Sequence, residues 1–286
     1  MDGHLLAIGL GLFSAVTLAA ANVAVKMGTD ILVGRAILST SAALLSLPFL
    51  LLVPAPDSAT LEALMLAVPA HFFYQLCLVR SMSRGDLSLV FPVMRGAAPL
   101  LSALAAFLLL GESLTPVALV GLLIATSAVL IFAIPPSGER LLAHPDASAL
   151  GWALATAAGV ALYSVADARG VRTAPEPFTY IVLLFVSDWF LILLTALAFR
   201  RRELASVVRA KWGYGVAAGL LSIFSFGSAL YAFSLMEVAK VSALRETAVV
   251  FAAVMGVKVL REGFGRRRIL AALALAAGLV LMQFGR

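Results

Sequence analysis

The feature that most constrains this chain is an internal repetition. Leu87 to Leu110 is an apolar run carrying Arg95, followed by Gly111-Glu112-Ser113-Leu114-Thr115-Pro116 and a second apolar run ending at Ile134. The plan returns later. Val238 to Leu260 is an apolar run carrying Arg245, then come Arg261-Glu262-Gly263-Phe264-Gly265 and an apolar run to Phe284. At one constant offset Arg95 meets Arg245, Leu110 meets Leu260, Glu112 meets Glu262 and Leu123 meets Leu273. A repeat of this size sets the whole architecture, so the chain reads as two related halves, 1–143 and 144–286.

Each half is built from apolar runs of roughly 18 to 24 residues, the length that crosses about 30 Å of hydrocarbon as helix. At 62% hydrophobic and 13% charged residues, the chain has too little polar surface to cover a soluble globule. It is an integral membrane protein, and its net charge of +6 sits in loops rather than in a nucleic-acid-binding patch. Ten segments emerge: 4–25, 31–53, 61–82, 87–110, 116–134, 149–168, 178–199, 213–235, 238–260 and 268–285. The fold class is therefore all-α and polytopic. Five segments per half is an odd number, so the second half enters the bilayer in the opposite sense. That is the inverted-repeat plan of many secondary transporters. The first run carries no Lys or Arg before it and has a partner in the repeat, so it reads as a retained helix and not as a signal peptide.

Loop charge gives the orientation. Fifteen Lys and Arg, among them Lys26, Arg35, Arg84, Arg140, Arg200 and Arg266, fall with the connections after segments 1, 3, 5, 7 and 9. The other face holds four: Arg169, Arg172, Lys240 and Arg286. The first face is expected in the cytoplasm, which leaves both termini outside.

Ionisable groups inside the bilayer cost about 2.5–3.5 kcal/mol or more each and are functional candidates. Asp188 sits at the middle of segment 7, where snorkelling is impossible. It reads either as a structural partner for a buried arginine or as a site for a substrate ammonium or a proton. Arg95 lies about 12 Å into segment 4 at 1.5 Å per residue, among Pro92, Gly96 and Pro99, so that helix is expected to kink or open there. Arg245 lies at the matching depth of the inverted half. Glu246 follows it but points about 100° away, so Glu246 needs a different partner or stays protonated. Either arginine serves substrate or a gate, or ties helices through carbonyls. Asn22 and Lys26 on segment 1 align with Tyr163 and Asp167 on segment 6, each pair four residues apart on one face. Lys26 and Asp167 lie near segment ends, so snorkelling explains them equally well. Three cations and three acids suit a zwitterion, because guanidinium forks a carboxylate and a carboxylate receives an ammonium; a self-neutralised network has the same composition. His71, Tyr74 and Gln75 share segment 3, either as one wall of a polar cavity or as interhelical hydrogen bonds. Glycines at Gly213, Gly215 and Gly219 read as sites of close helix approach.

No phosphate-binding loop, metal-ligand cluster or Ser/His/Asp arrangement occurs, so neither an enzyme nor an ATP-driven pump has residues to stand on, and no metal or cofactor is expected. Cys77 is the single cysteine and lies inside an apolar run.

Several stretches resemble the EamA-type family of the drug/metabolite transporter superfamily, over essentially the whole chain. They are Ala21-Asn22 with Lys26, Gly85-Asp86-Leu87-Ser88-Leu89-Val90-Phe91-Pro92 with Arg95-Gly96, Gly111-Glu112-Ser113-Leu114-Thr115-Pro116, Tyr163 with Asp167, and Ala243-Leu244-Arg245-Glu246-Thr247. The last is similar to a bacterial subgroup, some of whose members are labelled phosphonate-utilisation-associated. The resemblance implies ten helices, a central cavity lined by segments 1, 3, 4, 6, 8 and 9, and export of amino acids, related metabolites or drugs across a bacterial inner membrane. Family members usually keep both termini in the cytoplasm, and the loop charges here point the other way. The expectation is an alternating-access transporter of a small polar solute, with Asp188 and Glu246 as the groups able to take a coupling proton. One chain holds a complete pathway, so a monomer is expected. A lipid-headgroup translocase is the alternative, since relatives of this fold flip lipid-linked sugars.

Overall fold

The computed structural model describes residues 3–26, 30–84, 87–133, 147–210, 212–248, 250–251 and 266–284. The first half contains α1 (Gly3–Lys26), α2 (Ile31–Ser46), a 3-10 turn (Leu47–Leu51), α3 (Ser58–Met82), α4 (Leu87–Leu110) and α5 (Pro116–Ala133). The second contains α6 (Ala147–Thr173), α7 (Pro177–Ser187), α8 (Phe190–Ala210), α9 (Trp212–Ser222), a π-helical turn (Ile223–Gly227), α10 (Ser228–Phe233), α11 (Val238–Glu246) and α12 (Arg266–Phe284). Together they make the ten segments of two inverted five-helix repeats. Seven described stretches are long and apolar enough to cross a bilayer, and Pro116–Ile131 and Ile269–Phe284 are shorter apolar helices. The 135–148 connection, most of segment 9 after Phe251, and the Gly85-Asp86 and Arg261-Glu262 motifs lie outside the described residues.

Local chemistry sets the boundaries. Asp30 caps α2 by accepting from the Val33 amide at 3.1 Å, and Asp57 caps α3 through the Thr60 amide at 2.8 Å. The α4–α5 turn explains its motif residue by residue. Gly111 takes φ +69, the left-handed conformation that terminates a helix without a Cβ penalty. Thr115 Oγ1 accepts from the Ala118 amide at 3.1 Å, and Pro116 occupies the first helical position, where its missing N–H costs nothing.

The packing pattern carries the inverted symmetry. α3 packs on α6, and the corresponding pair in the exchanged halves, segment 8 on α1, packs as well. α4 packs on α6, and α11 on α1; α2 packs on α9, and α7 on α3. The self-symmetric pairs α4 with α11, α5 with α12 and α2 with α7 and α8 complete the set. α5 and α12 meet backbone to backbone: a Cβ at Gly121 would lie 2.6 Å from the Gly278 carbonyl, and one at Gly278 2.7 Å from the Ala125 amide nitrogen. Gly219 lets α9 approach Ser41 and Ala42 of α2, and Gly215 approaches Ile37, but Gly213 faces open space.

The helix interruptions differ from expectation. α4 runs as one helix through Pro92, Arg95 and Pro99. Among the described residues, the first half departs from α-helix only at the 3-10 turn that ends segment 2, and the breaks at cavity level fall in the second half. α7 ends with Asp188 as its C-cap, its amide bonded to the Leu184 carbonyl at 2.9 Å, and α8 starts at Phe190. Segment 8 widens into the π turn, and α11 ends at Thr247.

Candidate functional site

Between the halves lies a cavity of about 210 Å³. Tyr74, Arg95, Tyr163, Asp188 and Arg245 line it, as do His71, Arg35, Ser39, Ser225 and Phe226. The lining runs from mid-helix out to Ile31, the first residue of α2, and Met82, the last of α3. The cavity therefore reaches the face that carries the connections after segments 1 and 3. The backbone breaks supply part of the wall: Asp188 sits at the α7–α8 break, Ser225 and Phe226 in the π turn, and Arg245 at the end of α11. Irregular backbone at membrane depth is tolerated where it lines a cavity.

Buried partners stand behind this wall. Asp167 is fully buried rather than snorkelling; it meets His71 Nε2 at 2.9 Å and accepts from the Tyr180 hydroxyl at 2.8 Å. Gly170 makes room for the Tyr180 ring, which a Cβ there would overlap. Glu246 is buried and its partner is Arg95 of the other half, at 3.2 Å. Arg245 donates from Nε to Ser14 Oγ at 3.1 Å and lies over the Phe226 ring, 5.3 Å from its centroid. Asp188 forms no ion pair with an arginine among the described residues. It accepts from Gln75 Nε2 at 3.2 and 3.4 Å, while Gln75 Oε1 accepts from Ser39 at 3.4 Å. Asn22 and Lys26 close α1, and their side chains lie outside the described residues.

Aromatic rings form the apolar part. His71 stacks on Tyr163 with centroids 4.3 Å apart, Tyr74 meets Tyr163 edge-on at 5.1 Å, and Phe226 contacts both His71 and Tyr163. His71 thus has both expected roles, cavity wall and interhelical bond, while Tyr74 lines the wall and Gln75 makes interhelical bonds only. Arg35 does not belong with the loop charges: it is the fifth residue of α2 and lines the cavity.

The opposite face is fastened. Arg172, at the end of α6, donates to the Phe233 carbonyl at 2.8 Å, the Met236 carbonyl at 2.9 Å and Glu112 at 2.6 Å. The second Glu112 oxygen accepts from the Val238 amide at 2.9 Å, capping α11. The glutamate of the α4–α5 turn is therefore a bolt between halves, a role its sequence context gives no sign of.

The model of the EamA-like transporter family matches residues 1–134 and 147–284. The chain belongs to that family. It is a multi-pass membrane transporter of the drug/metabolite transporter superfamily, with a solute and the bilayer as its partners. No curated protein matches the chain. A solved crystal structure of a protein is similar over 98% of this chain and 96% of its own, with TM-score 0.74 and 17% identity, and shows the same fold.

Proposed function

We propose that this transporter exports a small zwitterionic metabolite, an amino acid or an amino-acid-like solute, across a bacterial inner membrane by alternating access. The observation that carries the reading is the cavity at the repeat interface, which reaches one face while Glu112 and Arg172 fasten the other. By loop charge the accessible face is cytoplasmic, so the geometry fits a state that loads from inside. About 210 Å³ lies below the roughly 300–1,000 Å³ of drug-sized sites, in keeping with a small solute. Guanidinium and carboxylate groups on one wall favour a solute carrying both charges. Arg95, tied to Glu246, and Arg245, tied to Ser14, join segments of different halves and act in gating. Asp188 on the wall and Glu246 behind it are the groups assigned to proton exchange.

The test is solute counterflow in proteoliposomes with a panel of amino acids, amines and phosphonates, with and without a pH gradient, beside Arg95→Ala. Saturable, Arg95-dependent exchange of a zwitterion is the expected result. A folded protein that exchanges no soluble solute sinks this reading and moves the assignment to a lipid headgroup.

A further inference from the structure

The arginines of this protein differ in their partners. Arg95 has Glu246, Arg172 has Glu112, Arg200 has Asp30, and Arg245 has Ser14. Arg35 has none of these among the described residues. Its guanidinium lies over the Tyr74 ring, 5.6 Å from the centroid, and its buried Nε has no hydrogen-bond partner. A buried donor left unmade is costly, and a charged one more so. The side chain nonetheless faces the cavity, on the stripe of α2 that continues through Leu38, Ser39 and Ala42.

Asp188 is the complementary case. Its contact is the neutral amide of Gln75, which in turn holds Ser39. Ser39 is four residues beyond Arg35, about 6 Å along the same helix face. A cation and an anion therefore line the same cavity, linked through Ser39 and Gln75, without forming an ion pair with each other.

We propose that Arg35 and Asp188 are the two ends of the solute site, Arg35 taking the carboxylate and Asp188 the ammonium of a zwitterion. This rests on the transporter reading above. A planar guanidinium offers two parallel N–H donors to the two oxygens of a carboxylate, and the Tyr74 ring fixes its plane. Tyr163, Phe226 and Phe185 provide an apolar surface for the rest of the solute. A plain amine would leave Arg35 without a counter-charge, and a plain anion would leave Asp188 without one. Selectivity for a molecule carrying both follows from that pairing.

The test uses the full chain in proteoliposomes with the twenty amino acids as probes. The one best exchanged is then compared with its carboxamide and its N-acetyl derivative. Wild type should exchange the amino acid at least tenfold better than either derivative. Arg35→Gln should lose at least tenfold on the amino acid and nothing on the carboxamide. Asp188→Asn should lose at least tenfold more on the amino acid than on the N-acetyl form, whatever it loses on both through proton exchange. Should Arg35→Gln weaken amino acid and carboxamide equally, or exchange the amino acid as wild type does, the assignment is overturned while the transporter reading stands. Absence of any amino-acid exchange by wild type removes both. If Arg35→Gln does not fold, Arg35→Lys decides, since it keeps the charge and loses the fork: a reduced amino-acid-to-carboxamide ratio supports the assignment, and an unchanged ratio overturns it.

Discussion

In the first half, α2, α3 and α4 pass the level of the cavity as uninterrupted helices, although α3 contains Pro69 and α4 two prolines. In the second half, segment 7 breaks at Asp188, segment 8 widens into a π turn, and α11 stops at Thr247. The two halves share one plan, yet irregular backbone is concentrated in one of them. Proline is not the determinant. A proline in a helix removes one donor, and neighbouring helices can absorb that loss. The breaks instead coincide with side chains that face the cavity or hold the other half, as Ser225 does by donating to the Ser14 carbonyl at 3.0 Å. π turns and discontinuous helices recur at such sites. One half supplies a straight wall and the other its re-aimed groups.

The strongest way to break that comparison is to remove the charge at the first interruption. Asp188→Asn keeps an acceptor for Gln75, so the fold should hold, and flux should fall at least a hundredfold in counterflow. Normal flux in that variant would take segment 7 out of the mechanism. The next largest effect belongs to the bolt that joins the halves. Glu112→Ala leaves Arg172 with its two carbonyls but no counter-charge, and the Val238 amide without its acceptor, at about 2–4 kcal/mol. Thermal unfolding should report that loss, and a cysteine placed near Val238 should become labelled faster. Unchanged labelling would show that the halves stay closed there without Glu112.

How far the sequence announces this asymmetry depends on the kind of feature. Apolar runs of membrane length admit one structure, so the spans and the doubling at Arg95 and Arg245 are legible. Asp188 is legible too, because an acid in the middle of such a run has nowhere to hide. The interruptions are not. Ile223 to Gly227 reads as ordinary apolar helix, and the partner its π turn meets through Ser225 is the Ser14 carbonyl, far away in the chain. The prolines around Arg95 point to an opening, and α4 is continuous there. Arg35 is misread because it lies four residues into its run, where nearness to a loop and exposure to a cavity look alike. Arg95, the partner of Glu246, and His71, one partner of Asp167, sit in the opposite half, a distance that only the folded inverted repeat closes.

Gly170→Ala sharpens the comparison on a smaller scale, within α6. Its Cβ would overlap the Tyr180 ring, so the ring must move off Asp167 or the helices must part, at about 1–3 kcal/mol. The variant should unfold at lower temperature, and Gly170→Ala with Tyr180→Phe should not restore it, since the overlap is with the ring. Recovery in the double variant would mean that the hydroxyl, not the ring, is what the glycine accommodates.

The smallest effect lies where the halves meet outside the apolar region. Asp30 caps the unbroken α2 of the first half and pairs with Arg200 of the second at 2.9 Å, at the point where α8 leaves helical geometry with φ −139 and ψ 33. Partial burial pushes the Asp30 carboxyl up, but the Val33 amide and the Arg200 guanidinium outweigh it and hold the carboxyl below its ordinary value. The sign follows from linkage. A carboxylate that binds its proton less readily when folded adds stability that is present above about pH 4 and is lost as pH falls through the folded-state value. Arg200 is half exposed, so solvent screening keeps the pair's share small. The cap itself is worth about 1 kcal/mol. Asp30→Ala should therefore lower stability by about that much at neutral pH, and the gap to wild type should narrow in acid-unfolding curves below pH 4. A gap that stays constant through that range would show that neither the Val33 cap nor the Arg200 pair draws on the carboxylate charge.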